Sequence, residues 1–178
     1  GADTDFHINR IISLMEAQQN NVEYPYLFWN QNYNFGYPTP IFYCNLFLYW
    51  PAALLTDGML PVLVYKKYVF GLVWIATMMI GLCSYKVSKR SGYAAILAML
   101  LFMLNTHSIT DILRRGGLGE LLALVFIPIC LAGIYQTMYK DSRRWIWLAV
   151  GYCGLVLSHN ISFILMCIVF AVFALINM

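Results

Sequence analysis

Charge is what this sequence has least of. Asp, Glu, Lys and Arg make up only 11% of the residues, while 61% are hydrophobic; an average soluble domain carries about 25% charged residues. So little charge cannot cover a water-soluble globule, which excludes a disordered chain and argues against a cytosolic enzyme. The formal net charge of +3 is too small and too scattered to meet a polyanion, so nucleic acid is not an expected partner. No CxxC pair occurs among the five cysteines. Cys44, Cys83, Cys130, Cys153 and Cys167 read as buried thiols rather than a disulfide or zinc framework. Also missing are a nucleophilic triad, a dinucleotide fingerprint and a P-loop; the glycines of 116–119 lack the Gly-Lys-Ser/Thr ending. The apolar runs hold almost no ionisable residue, which argues against an ion channel or a proton-driven transporter. What remains is an all-α, polytopic integral membrane protein.

Mean hydropathy is +0.68, and the apolar residues are unevenly spread. Residues 1–39 are the most polar part, within a segment 1–67 that reads as an outer loop with interfacial helices, and 68–178 read as the transmembrane bundle. Within the first part, residues 3–19 predict a helix, because Ile8, Ile11, Ile12 and Met15 follow the i, i+3, i+4, i+7 rule. Asp5, Asn9, Ser13 and Glu16 form a polar stripe beside them, and Asp3, His7, Arg10 and Leu14 share a third face. Such a helix is expected to lie on a membrane surface. Residues 20–40 carry Asn, Gln, Gly, Pro and many aromatics and read as an ordered loop. Residues 41–56 are apolar but interrupted by Asn45 and Pro51, which suits an interfacial segment better than a span. Beyond residue 67, apolar runs over 68–85, 92–106, 118–138, 145–158 and 161–178 predict about five spans, with Ser158-His159-Asn160 breaking the last stretch.

Basic residues in short loops set the expected orientation. Lys86, Lys89 and Arg90 lie in one loop and Lys140, Arg143 and Arg144 in another, and the two share the cytoplasmic side. Residues 1–67, the loop 106–117 and the His159 turn then face outward, in a multi-pass protein of the cell membrane. The chain opens at Gly1 without an initiator Met and closes inside an apolar run, so a piece of a longer chain is the expectation.

Several polar features meet on the outer side of this topology. Asp3, His7 and Arg10 place an acid, an imidazole and a guanidinium on one helical face, suited to a metal, a phosphate or a proton acceptor. The plainer reading makes Asp3 the N-cap and leaves His7 and Arg10 to lipid headgroups. In 111–120 (DILRRGGLGE), Arg114 and Arg115 precede glycines and a helix start, where backbone N–H groups and guanidinium forks suit phosphate oxygens. The alternative there is an ordinary loop whose Glu120 caps the helix. His159 and His107 sit at turns and carry little weight alone. Trp29, Asn34 and Tyr37, in a cluster of aromatics and amides, suit sugar faces and hydroxyls, but taken alone they fit better the aromatic belt expected at any membrane interface. Lys66 and Lys67 are expected to make headgroup contacts.

The opening Gly1-Ala2-Asp3-Thr4-Asp5-Phe6-His7-Ile8-Asn9-Arg10-Ile11 resembles the G-x-D-x-x-F-H-x-x-R-I start of a group of bacterial polytopic membrane proteins. Further matches are Asn34-Phe35-Gly36-Tyr37-Pro38, Pro40-Ile41-Phe42-Tyr43, Arg115-Gly116-Gly117-Leu118-Gly119-Glu120 and Leu157-Ser158-His159, in the same order along most of the chain. These are the YfhO-like proteins, some labelled 6-pyruvoyl-tetrahydropterin-synthase-related, which look like members of the GT-C glycosyltransferase superfamily. The resemblance implies a GT-C-like helical module with interfacial helices (3–19 and 41–56) in a first outer loop. It implies transfer of a sugar from a polyprenyl-phosphate donor, with inversion, to an acceptor on the extracytoplasmic face. Asp3 takes the place of the catalytic acid residue, as base or metal ligand. His7, Arg10, Arg114, Arg115, Glu120 and His159 are then expected around the donor phosphate, and Trp29, Asn34 and Tyr37 near sugar or acceptor. A divalent metal, if used, would draw on Asp3, His7 and His159. The competing expectation is a non-enzymatic lipid-carrier binder, flippase or envelope-assembly protein that uses the same phosphate site.

Overall fold

The computed structural model describes residues 3–177; Gly1 and Ala2 of the opening motif lie outside that range. Among the described residues the structure is helical throughout, with one isolated antiparallel bridge between Phe28 and Tyr37. The elements are α1 (Thr4–Gln19), α2 (Thr39–Phe42), α3 (Tyr49–Thr56, preceded by a 3-10 turn Leu46–Leu48), α4 (Pro61–Val87) and α5 (Gly92–Met103). They continue with α6 (Thr106–Thr110), α7 (Leu118–Tyr139), α8 (Trp145–Val156) and α9 (Asn160–Ile176).

The spans are fewer than the apolar runs suggest. Helices α4 and α7 are long and apolar enough to cross a membrane, and α5 with 106–115, bent by 44° at the break, makes a third if taken as one span. The expectation of about five is thus corrected to two or three. The reason is length: α8 has 12 residues, or about 18 Å at 1.5 Å per residue, against a hydrocarbon core of about 30 Å. The break after Val156 falls where the Ser158-His159-Asn160 signal put it, and α9, at 17 residues, is also short. Tyr152 Oη donates to the Met166 carbonyl at 2.6 Å, tying the two short helices together.

α7 is the centre of the bundle, packed against α4 on one side and α8 on the other. The α7–α8 contact is close because it runs over glycines: a Cβ on Gly133 would fall 2.6 Å from the Leu148 amide nitrogen, and one on Gly151 2.6 Å from Cys130 Sγ. Small residues let helix backbones approach in this way where lipid removes the hydrophobic drive for association.

α1 forms over the residues its periodicity predicts, but the face it buries differs from the expected one. Ile11 and Leu14 join a core cluster with Phe28, Leu48, Ala52, Leu55, Val64 and Tyr65, while Ile8, Ile12 and Met15 are only half-buried against it. His7, Arg10 and Ser13 are buried with them. Ser13, expected on the solvated stripe, instead donates to Asn30 Oδ1 at 2.6 Å and accepts from Gln31 Nε2 at 3.2 Å. Thr39 Oγ1 donates to Gln31 Oε1 at 2.6 Å. The loop 20–40 is therefore held onto α1 by a part-buried polar network, with Phe28 as its apolar anchor. α2 and α3 are short, as the interruptions at Asn45 and Pro51 suggest, and α3 packs on α1 and α4. Tyr68 of α4 donates to the Phe47 carbonyl at 2.7 Å, fixing the segment before α3 to the bundle.

Candidate functional site

The site is assembled where α1 begins and α7 begins. Residues 111–115 form a π turn, closed by Gly116 N–H donating to the Asp111 carbonyl at 2.7 Å with Gly116 in the left-handed region (φ +76°). Glycine is required there twice over, since a side chain would be strained at that φ and its Cβ would collide with Thr4 Oγ1. Tyr65 Oη, from α4, donates to the Gly116 carbonyl at 3.0 Å. The Asp3 amide donates to the Arg115 carbonyl at 2.9 Å. Three elements far apart in sequence thus meet at one turn.

A cavity of about 230 Å³ opens beside it, and Asp3, His7, Arg10, Arg115, Glu120 and His159 all line it. Arg115 and the acids form an ion-pair chain. Arg115 Nη1 lies 2.8 Å from Glu120 Oε1 and 3.0 Å from Oε2, and its Nε lies 3.6 Å from Asp3 Oδ2. His107 Nε2, on an exposed side chain, stands 3.8 Å from Glu120 Oε2. Asp3 makes no side-chain cap bond to α1, and no side chain caps α7. The carboxylates that looked like caps in sequence are therefore occupied by Arg115.

Arg10 is different. It is 4% exposed, and its partners are all neutral: Asn45 Oδ1 at 2.9 Å, the Cys44 carbonyl at 3.2 Å and His7 Nδ1 at 3.3 Å. Its Nε has no hydrogen-bond partner, and the Tyr43 and Phe6 rings lie 5.1 and 5.7 Å from its guanidinium carbon. Burial pulls its pKa down to about 10 against the opposing influence of Tyr43, Cys44 and Tyr68, so it remains a cation at neutral pH. A buried cation without a carboxylate is costly unless something neutralises it. His7 does not compete for that role. Burial and then the Arg10 charge lower its pKa to about 3, and with Nδ1 facing a guanidinium donor the neutral imidazole carries its proton on Nε2. His159 Nδ1 lies 2.9 Å from Ser162 Oγ. Burial lowers its pKa, with Glu120 opposing and Arg115 adding to the shift. Gly119 lets the ring sit close, 3.1 Å from where a Cβ would be.

Not every predicted residue arrives. Arg114 is exposed and lines no part of this cavity. Tyr37 lines a second cavity of about 410 Å³ that shares Tyr43, Cys44, Ser158 and His159 with the first. Trp29, 68% exposed, and Asn34 line neither. Among the described residues no group of three or more His, Cys, Asp or Glu stands close enough to hold a metal ion. Asp3, His7 and His159 share the cavity without forming a ligand cluster, because His7 is turned to Arg10 and His159 to Ser162.

Four contributors were missed in sequence: Phe6, Tyr43, Asn45 and Asp111. Phe6 stands four residues before Arg10, the spacing at which helix side chains meet, and Asn45 is a lone amide in an apolar run. Asp111 is 1% exposed, and neither of its carboxylate oxygens has a hydrogen-bond partner. A Cβ on Gly117 would fall 2.6 Å from its Oδ1. Nothing in its sequence position announced that burial. No protein-family model matches the chain, and no curated protein or solved structure matches it either.

Proposed function

We propose that the chain is the GT-C-like module of an inverting glycosyltransferase that moves a sugar from a polyprenyl-phosphate donor to an acceptor on the outer membrane face. The observation that carries the reading is the opposition, across one small cavity, of a half-exposed carboxylate (Asp3) and a buried guanidinium without an acidic partner (Arg10). The cavity lies between the surface helix α1 and the start of α7, one of the helices long enough to span. That is where a lipid-linked phosphate would present its sugar.

In this mechanism the Arg10 guanidinium, which lines the cavity, draws the donor phosphate as its missing counter-charge. His7 holds the guanidinium from the side and stays neutral. Asp3 accepts the proton of the acceptor hydroxyl as that oxygen attacks the anomeric carbon. The bond from anomeric carbon to phosphate oxygen breaks, its electron pair stays on the phosphate, and the configuration inverts. Arg115, clamped by Glu120, positions Asp3 and is not free for phosphate. This reassigns the phosphate role from Arg114 and Arg115 to Arg10.

The Arg115–Asp3 pair also favours a second reading. A carboxylate already held by a guanidinium can serve to fix the site rather than to accept a proton, which suits a lipid-carrier binder that transfers nothing. One experiment separates them: polyprenyl-phosphate-sugar binding and sugar transfer by wild type, Asp3→Asn and Arg10→Gln. Transfer lost with binding kept in Asp3→Asn, and binding lost in Arg10→Gln, supports the transferase. Binding without transfer in the wild type supports the carrier protein, and binding unchanged in Arg10→Gln overturns both.

A further inference from the structure

At the far end of α7, about 30 Å from the first site by helix rise, lies a cavity of about 630 Å³ between the ends of α4, α7 and α8. Four cations line it: Lys86, Arg90, Lys140 and Arg144. No carboxylate does, and among the described residues none of the four forms an ion pair. Asp141, the acid nearest in sequence, turns its Oδ1 to the Arg143 amide at 3.0 Å as a turn cap and does not line the cavity.

The cations are placed rather than scattered. Lys86 Nζ stands 3.6 Å from the Trp147 ring centroid, a cation–π contact that fixes its direction. After α4 the chain turns through two non-glycine residues in the left-handed region, Lys89 (φ 55°) and Arg90 (φ 69°), closed by the Arg90 amide donating to the Tyr85 carbonyl at 2.8 Å. Left-handed backbone is unfavourable for a non-glycine residue, and this turn brings Arg90 onto the cavity. Beside the cations the lining includes apolar surface, from Leu82 of α4 and Trp147 of α8, while Gln136, 6% exposed, supplies an amide.

We infer that this cavity binds the phosphate headgroup of an anionic phospholipid, with the four cations on the phosphate and an acyl chain along Leu82 and Trp147. A cluster of cations over an apolar wall matches an amphiphile, and basic pockets between membrane helices bind such headgroups. A soluble phosphate would use the cations but gain nothing from the apolar wall. The site is independent of the sugar-transfer reading, since it shares no residue with the first cavity.

The test uses the full chain in phosphatidylcholine nanodiscs, with retention of dioleoylphosphatidylglycerol measured by native mass spectrometry. Arg90→Gln/Arg144→Gln is compared with Lys66→Gln/Lys67→Gln, which removes the same charge at the other end. Loss of each cation is expected to weaken retention about fivefold, so the first pair loses about 25-fold and the second is unaffected. Arg90→Lys/Arg144→Lys retains most of the binding, and Lys86→Gln/Lys140→Gln repeats the loss with the other two cations should the first pair not fold. Equal retention in all variants, or an equal loss in both Gln pairs, overturns the site. Glycerol phosphate binding as tightly as the lipid overturns the lipid as its ligand.

Discussion

Arg10 Nη2 lies 2.9 Å from Asn45 Oδ1, so the strongest partner of a buried guanidinium is a neutral amide from the segment before α3. Both residues are buried. The pairing leaves the guanidinium without a carboxylate partner beside the cavity it lines, and under the proposed function that amide in place of a carboxylate is what favours an anionic ligand.

Replacing the amide by an acid reverses that preference. Asn45→Asp supplies the missing counter-charge and is expected to stabilise the chain by about 1.5–3 kcal/mol, the scale of a charged hydrogen bond. Affinity for polyprenyl phosphate should fall at least tenfold. Thermal unfolding and lipid binding on the same sample check the two opposite effects together.

His7 makes stability depend on pH in one direction. Its folded pKa of about 3 lies below the ordinary 6.5, so the unfolded chain takes up the proton first. The stabilisation is complete above about pH 6.5 and is lost as the pH falls toward 3, by up to about 1.4 kcal/mol per pH unit. His7→Gln is expected to flatten that slope in a pH series of denaturation midpoints, and an unchanged slope contradicts the buried neutral imidazole.

Arg115→Ala removes two part-exposed ion pairs, to Glu120 and to Asp3, each contributing under about 1 kcal/mol to stability. It also frees Asp3 from its 3.6 Å contact. Sugar transfer should then drop by about 10–100-fold with the melting temperature nearly unchanged, because the base is misplaced and not removed. A large drop in melting temperature would mean the pairs hold the fold instead.

Asp111 holds a buried carboxylate without a hydrogen-bond partner, and burying such a charge is unfavourable. Asp111→Asn is expected to raise stability by about 1–3 kcal/mol. Chemical denaturation of wild type and variant reads the sign directly.

The α7–α8 seam has no room for growth. Gly133→Ala places a methyl 2.6 Å from the Leu148 backbone, and forcing the helices apart should cost about 1–3 kcal/mol. Cysteine cross-linking across the seam, alongside thermal unfolding, distinguishes separation of the helices from a uniform loss of stability.

The one-dimensional pattern of this chain determined its helical class, the extent of α1, the shortness of the segment 41–56 and the break at Ser158-His159-Asn160. These depend on periodicity, composition and local turn chemistry, which act over a few residues. Span number did not follow from composition, because an apolar run crosses a membrane only if its helix is unbroken over enough residues, and α8 is not. Nor did the sequence separate the free guanidinium from the engaged one. Arg115 looked available beside its glycines and is clamped by Glu120 and Asp3, while Arg10 looked like a surface residue and is buried against Asn45. Those assignments rest on contacts between α1, the segment before α3 and the start of α7, residues up to about 115 positions apart. Only the tertiary structure decides them, since the energy of a buried charge depends on which partner packing brings within hydrogen-bond reach.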